Sequence, residues 1–226
     1  MKKFIILLLL GMGHFIQAQT PTTTTVTSPW PSDGPSPDRE IYTYTMTAED
    51  QFVLNWEMAI PSGNDFLGKN SYSGGRFDYK HFVDGGNLAI GASLGWNSFN
   101  EYYDPQVYER PDGSGAVHTD MVRHIYTLPI AVNGYYFLYK RNIKPYVGLG
   151  LGTVYSEQDA YFNIYVVSES NWGFLVKPEI GLQLEVNETF GIATYATYNY
   201  STNKNDYFNI DHLASINIGA GLYWEW

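Results

Sequence analysis

The chain has 226 residues, with 13 Lys and Arg against 23 Asp and Glu for a formal net charge of −10, and no cysteine. The acidic balance argues against a nucleic-acid binder, whose affinity rests on Lys and Arg meeting phosphates. The missing thiols exclude disulfides, thiolate metal sites and a lipid-modified cysteine anchor.

Twenty Tyr and six Trp stand out in the composition. Both favour a membrane–water boundary, where the ring meets lipid and the polar tip meets water. Aromatic excess also fits a carbohydrate-binding sandwich, and the strand pattern decides between the two.

The chain opens MKKFIILLLLGMGHFIQAQ. Lys2 and Lys3 precede the apolar run Phe4 to Leu10, and Ala18 offers a small residue for cleavage near Ala18/Gln19. This reads as a secretory signal peptide over 1–18, too short to span a membrane as a helix. Residues 19–48 are rich in Thr, Pro and Ser and bury too little apolar surface to fold, so a disordered periplasmic tail is expected. The barrel domain is expected over 49–226.

Eight segments then alternate. Side chains in a strand point to opposite faces in turn. Phe52, Leu54, Trp56, Met58 and Ile60 share one face of the first, with Val53, Asn55, Glu57 and Ala59 opposite. The second, about 72–83, is the least regular: Phe77 and Tyr79 face out, and Arg76, Asp78 and Lys80 face in. The third puts Leu88, Ile90, Ala92, Leu94 and Trp96 out. The fourth, about 123–138, puts Tyr126, Leu128, Ile130 and Val132 out and contains Pro129, where a bulge or local irregularity is expected. The fifth sets Val147, Leu149 and Leu151 against Tyr146, Gly148, Gly150 and Gly152. The sixth is the cleanest, with Trp172 to Val186 alternating outward against Lys177, Glu179, Gln183 and Glu185. In the seventh Ile192, Tyr198 and Tyr200 face out and Ala193, Tyr195 and Thr197 face in. The eighth, HLASINIGAGLYWEW, sets Ile216, Ile218, Leu222, Trp224 and Trp226 against Ser215, Asn217, Gly219, Gly221, Tyr223 and Glu225.

The connections alternate as well. DGGN (84–87), KRNIK (140–144) and NE (187–188) have tight-turn chemistry, whereas 61–71, 100–119, 156–171 and 201–211 are long. Greasy-out, polar-in strands with short turns at one end and long loops at the other predict an all-β fold. The expected form is an eight-stranded antiparallel up-and-down transmembrane β-barrel. The aromatic stretches in the second and third long loops are expected to extend the strands as hairpins above the membrane.

FVLNWEMAIP, LAIGASLGWNSF, KPYVGLGLG and the terminal GAGLYWEW together resemble the small eight-stranded outer-membrane barrels of the OmpA/OmpX-like class, over about 51–226. The resemblance implies a Gram-negative cell envelope and residence in the cell outer membrane. The implied surroundings are outer-membrane lipid and lipopolysaccharide, the barrel-insertion machinery and another outer-membrane protein. It also implies that Leu222, Trp224 and Trp226 form the carboxyl-terminal insertion signal. No peptidoglycan-binding domain follows the barrel, so OmpA's anchoring role is not implied.

An eight-stranded barrel is just wide enough inside for side chains to fill. Glu57, Arg76, Asp78, Lys80, Lys177, Glu179 and Glu185 all face inward and are expected to form a charged polar network, since unpaired charges there are costly. Such a network is either a gate or proton path, or a static polar filling that seals the lumen, and the second is the ordinary use. Inward glycines at 148, 150, 152, 219 and 221 are expected to make room for Tyr146, Tyr195 and Tyr223.

The chemistry of an enzyme is thin. His118, His124 and His212, with Ser98, Ser114, Ser170 and Ser201, fall near predicted loop ends, a region where a nucleophile and base could meet. Glu101, Asp104, Glu109 and Asp112 crowd one loop, but the EF-hand spacing is absent, and no metal or cofactor is expected. GLGLG (148–152) lies in an alternating strand with no helix after it and is no dinucleotide fingerprint. The expected function is non-enzymatic, structural or interactive, through extracellular loops or barrel wall. The rivals are an outer-membrane lipid-modifying enzyme and a narrow channel for small solutes.

Overall fold

The computed structural model describes residues 49–63, 68–83, 86–109, 115–139, 142–162, 165–206 and 208–226. The leader and the whole of the expected tail, 19–48, lie outside them. Eight strands appear in chain order: β1 (Asp50–Ser62), β2 (Ser71–Phe82), β3 (Leu88–Glu109), β4 (Ala116–Phe137), β5 (Ile143–Phe162), β6 (Tyr165–Asn187), β7 (Phe190–Ser201) and β8 (Leu213–Glu225). Each pairs antiparallel with the next, and β1 pairs with β8 from Gln51↔Glu225 to Ser62↔Ala214, which closes the barrel. Closure leaves the barrel itself without a free sheet edge, the condition for crossing a bilayer.

The alternation read from the sequence is the burial pattern observed. On β1 the odd residues Val53, Asn55, Glu57 and Ala59 are buried while Leu54 and Trp56 are exposed. Leu54, Ile90, Val132, Leu149, Ile180 and Ile218 are among the large apolar side chains left exposed on the outside, and Gln51, Asp78, Lys80, Gln183 and Asn217 are fully buried inside. This inverts a water-soluble protein, in which large exposed apolar area is limited and charge is almost never buried. The exterior is built for lipid.

Strand lengths divide into two groups. β1, β2, β7 and β8 have 12 or 13 residues, whereas β3 to β6 have 20 to 23. About 10 residues cross a bilayer, so the β3–β4 and β5–β6 hairpins project about 30 Å along the strand beyond it. The expected loops at 100–119 and 156–171 are therefore largely hairpin.

Pro129 produces the expected local irregularity, not a bulge. The β4–β5 ladder runs through it unbroken, and the β3–β4 ladder skips two pairs between Leu94↔Ile130 and Asn97↔Thr127 without changing register. Its ring sits over Gly95, which leaves room for it. Register shifts occur instead at Glu57/Ala59, Tyr103/Gln106 and Glu185/Asn187.

Candidate functional site

The inward side chains form three tiers. The middle tier holds three acids (Glu57, Asp78, Glu179) and three bases (Arg76, Lys80, Lys177), all buried. Arg76 of β2 donates two parallel bonds to Glu179 of β6, at 2.8 and 3.0 Å, and a third from Nε to Asp78 at 2.9 Å. β2 and β6 are four strands apart in a ring of eight, so this fork spans the full bore. Tyr146 donates to Glu179 at 2.8 Å, and Asn55 donates to Asp78 at 3.0 Å. The guanidinium lies 3.6 Å over the Tyr195 ring, and the Tyr195 hydroxyl donates to Glu57 at 2.6 Å. Asn97 and Asn217 also donate to Glu57. Such charge-assisted, bidentate bonds are the strong ones.

Two bases depart from the expected pairing. Lys177 donates to Ser93 at 2.7 Å. Lys80 makes no ion pair among the described residues; its ammonium sits 4.4 Å from the Tyr146 ring centroid and 4.5 Å from that of Tyr135, with Phe137 beyond. Aromatic faces take the place of carboxylates there.

Glu185 belongs elsewhere. It meets Lys144 at 3.1 Å at the short-turn end, and Lys144 also bonds Glu225 at 2.9 Å. Gln51 adds a bond to Glu225 at 2.8 Å and a reciprocal amide pair with Gln183. The KRNIK setting of Lys144 reads as a turn, but β5 begins at Ile143 and turns the side chain inward.

The upper tier joins an apolar cluster to buried amides. The β7–β8 connection, expected as an ordinary outer loop, folds into the barrel mouth. Asn205 and Ile210 pair through their backbones, Asn205 donates to Gln158 at 2.6 Å, and Asn203 donates to the Val154 carbonyl at 3.1 Å. Ile210 is buried against Ala59, Phe99, Ile125 and Leu213, with Phe208 packed alongside.

The tyrosine–glycine fit is partly as expected. A Cβ at Gly219 would strike the Tyr195 ring, but Tyr146 lies against Gly181 and Tyr223 against Gly191.

At the outer rim the candidate histidines separate. His118 is exposed on the β4 hairpin and His212 stacks on Tyr200 at 5.3 Å. Ser201 faces inward and buried, Ser170 is exposed, and Ser114 lies outside the described residues. Ser98 and His124 do meet: Ser98 Oγ is 3.1 Å from His124 Nε2, and His124 Nδ1 is 3.3 Å from Asp159 Oδ2. In the expected acidic loop, Glu101 accepts the Gly68 N–H at 2.6 Å, and Asp112 lies outside the described residues. Above the membrane the Asp159 charge holds the Tyr161 hydroxyl above its usual range, and the bond to Asp206 raises Lys204.

No family model and no curated protein matches the chain. Among solved structures it is similar to Neisserial surface protein A, with a TM-score of 0.54 and 14% identity over 78% of this chain and 97% of that one. The chain folds as a small eight-stranded outer-membrane β-barrel. It is also similar to Ail, the attachment invasion locus protein of Yersinia pestis, solved with the heparin analogue sucrose octasulfate (TM-score 0.44, 16% identity, 79% of this chain and 97% of that one). A third is the N-terminal β-barrel domain of Pseudomonas aeruginosa OprF (TM-score 0.40, 12% identity, 78% and 98%). In this barrel an outer row of aromatics, including Trp56, Trp96, Tyr126, Tyr155 and Trp172, borders the apolar belt on the hairpin side. Phe52, Tyr79, Tyr136, Phe190 and Trp224 border it on the other. Two such girdles mark the two lipid–water boundaries.

Proposed function

We propose that this chain resides in the cell outer membrane as a structural and interaction protein. Its lumen is sealed, and its projecting hairpins and barrel wall meet its partners. The observation that carries the reading is the Arg76–Glu179 fork across the whole bore, with Tyr146, Tyr195 and the Glu57 cluster filling the space around it. The ring of eight strands leaves no width for a solute path beside such a crossing. The apolar mouth formed by Phe208 and Ile210 adds a second closure.

Purified barrel in planar bilayers is therefore expected to be silent. Sustained stepwise conductance would favour the channel reading and remove the sealed one.

The interaction part rests on the hairpins. Tyr102, Val107, Tyr161 and Val166 are exposed well beyond the outer aromatic row. A photo-crosslinking amino acid at Tyr102 in intact outer membranes is expected to capture lipopolysaccharide or a discrete protein. The same probe at Val132, on the lipid face, is expected to capture lipid or an adjoining barrel. Diffuse capture at both positions would count against a specific partner. Leu222 and Trp224 stand on the lipid face at the short-turn end of β8, with Trp226 following; we assign this row to recognition by the barrel-insertion machinery.

A further inference from the structure

We propose that Ser98, His124 and Asp159 form a catalytic triad on the outer face of the barrel, hydrolysing carboxylic esters of long-chain lipids at the membrane surface. This goes beyond the structural role above and is independent of the sealed lumen.

Three observations support it. The first is connectivity. Ser98 Oγ lies 3.1 Å from His124 Nε2, and the other ring nitrogen lies 3.3 Å from Asp159 Oδ2. Nucleophile, base and orienting carboxylate thus stand in sequence, the arrangement by which such a triad is recognised whatever the fold. The slightly long second contact is in the range seen in ligand-free sites, which tighten on substrate. Asp159 is buried and accepts from the ring at Nδ1, which places the N–H there and leaves Nε2 free to take the serine proton. Tyr161 donates a further bond to the same Asp159 oxygen.

The second is position. Ser98 and His124 stand on the outer face of β3 and β4, and Asp159 follows in the outward row of β5. Ser98 is one outward step above Trp96, His124 one above Tyr126, and Asp159 two above Tyr155. Each outward step is about 7 Å along a strand. The triad therefore sits just above the aromatic girdle, in the headgroup layer. A lipid ester carbonyl reaches Ser98 by rising to that level while its acyl chains stay in the bilayer.

The third is a polar donor beside the nucleophile. The side-chain amide of the exposed Asn100 donates to Ser98 Oγ at 3.3 Å, close enough to turn to the carbonyl oxygen that gains charge once Ser98 has attacked.

The reaction balances with water alone. Ser98 Oγ attacks the ester carbonyl carbon as His124 Nε2 takes the hydroxyl proton. Asn100, released from Ser98 Oγ as that oxygen bonds carbon, turns its amide to the tetrahedral oxygen. The carbon–alkoxy bond breaks, and His124 returns its proton to the leaving alcohol. Water then attacks the acyl-Ser98 ester, His124 takes its proton, and the fatty acid leaves as Ser98 regains a proton. No oxidant or metal enters.

The test uses the folded full-length protein in detergent micelles. A fluorophosphonate probe is expected to add one adduct to the Ser98 peptide by mass spectrometry, absent in Ser98→Ala and His124→Ala. Hydrolysis of p-nitrophenyl palmitate is expected to fall to background in both variants. Asp159→Asn is expected to lose about a thousandfold to ten-thousandfold in rate, because the ring loses its tautomer control. Heat-modifiable migration on gels confirms that each variant is folded. Envelopes with and without the chain then separate the lipid sources: free fatty acid accompanied by lysophospholipid indicates a phospholipid substrate, and loss of an acyl chain from lipopolysaccharide indicates the other. No Ser98 adduct on the wild-type barrel, or equal hydrolysis by wild type and Ser98→Ala, would overturn the proposal and leave the sealed-barrel reading untouched.

Discussion

Arg76→Ala is expected to destabilise the barrel by about 3–5 kcal/mol, the usual loss when one partner of a buried pair is removed. The guanidinium makes three charge-assisted bonds to two carboxylates and lies flat on a tyrosine ring. Alanine leaves Glu179 and Asp78, both buried, without the charge that stands between them. Asp78 keeps Asn55, and Glu179 keeps Tyr146, but these are neutral donors. Unfolding by guanidinium in micelles, followed by tryptophan fluorescence, reads the loss. The double variant Arg76→Met with Glu179→Leu separates charge from packing. It removes one base and one acid, so the remaining tier of Glu57, Asp78, Lys80 and Lys177 stays balanced. It should recover more than half of the single-variant loss, since an apolar substitute for a whole buried pair is often close to neutral. If the double variant is as unstable as the single one, the fork acts through shape rather than charge.

The same network shows what the sequence made legible. Periodicity two, repeated eight times, fixes which residues face in, because one register error would send every apolar side chain into the lumen. Six of the seven inward charges named from that pattern therefore meet in one tier. The seventh, Glu185, is three residues from the β6–β7 turn, so its height in the barrel places it beside Lys144 and Glu225 instead. Facing is written in alternation; height is set by the register between strands far apart in sequence. Who bonds whom across the bore is a long-range matter for the same reason. The Tyr195–Glu57 bond joins β7 to β1, and nothing local to either residue announces it.

The rim shows a second kind of gap. Ser98 and His124 stood out by residue type, and Asp159 did not, because 156–171 read as loop. Continuing the β5 alternation past Thr153 would have put Asp159 on the outward row, and pairing β4 with β5 sets it directly opposite His124. The polar loop chemistry hid a strand whose hydrophobic half ends where the lipid does. The β7–β8 connection was opaque for the opposite reason. Asn203, Asn205 and Ile210 look like loop residues, but the two asparagines find partners on β5 and β6, and Ile210 is buried against Ala59, Phe99 and Ile125 on β1, β3 and β4.

Lipid, not water, is the solvent that the belt faces, and one strand can test this by itself. Ile180 and Val166 both lie on β6 and are both highly exposed, at 64% and 52%. Ile180 lies about midway between the two aromatic rows, flanked by Val147 on β5 and Ala196 on β7. Val166 lies near the tip of the projecting hairpin, opposite Tyr161. Ile180→Arg is expected to cost about 2–4 kcal/mol in lipid vesicles, the penalty for a guanidinium on the lipid face near the bilayer centre. Val166→Arg is expected to stay within about 0.5 kcal/mol, as for an ordinary substitution in water. Both changes place the same side chain on the same face of the same strand, so strand propensity and net charge cancel in the comparison. Only the medium differs. Equal effects at the two sites would mean that the apolar belt is covered by protein or water, and the membrane placement of the barrel would fall with it.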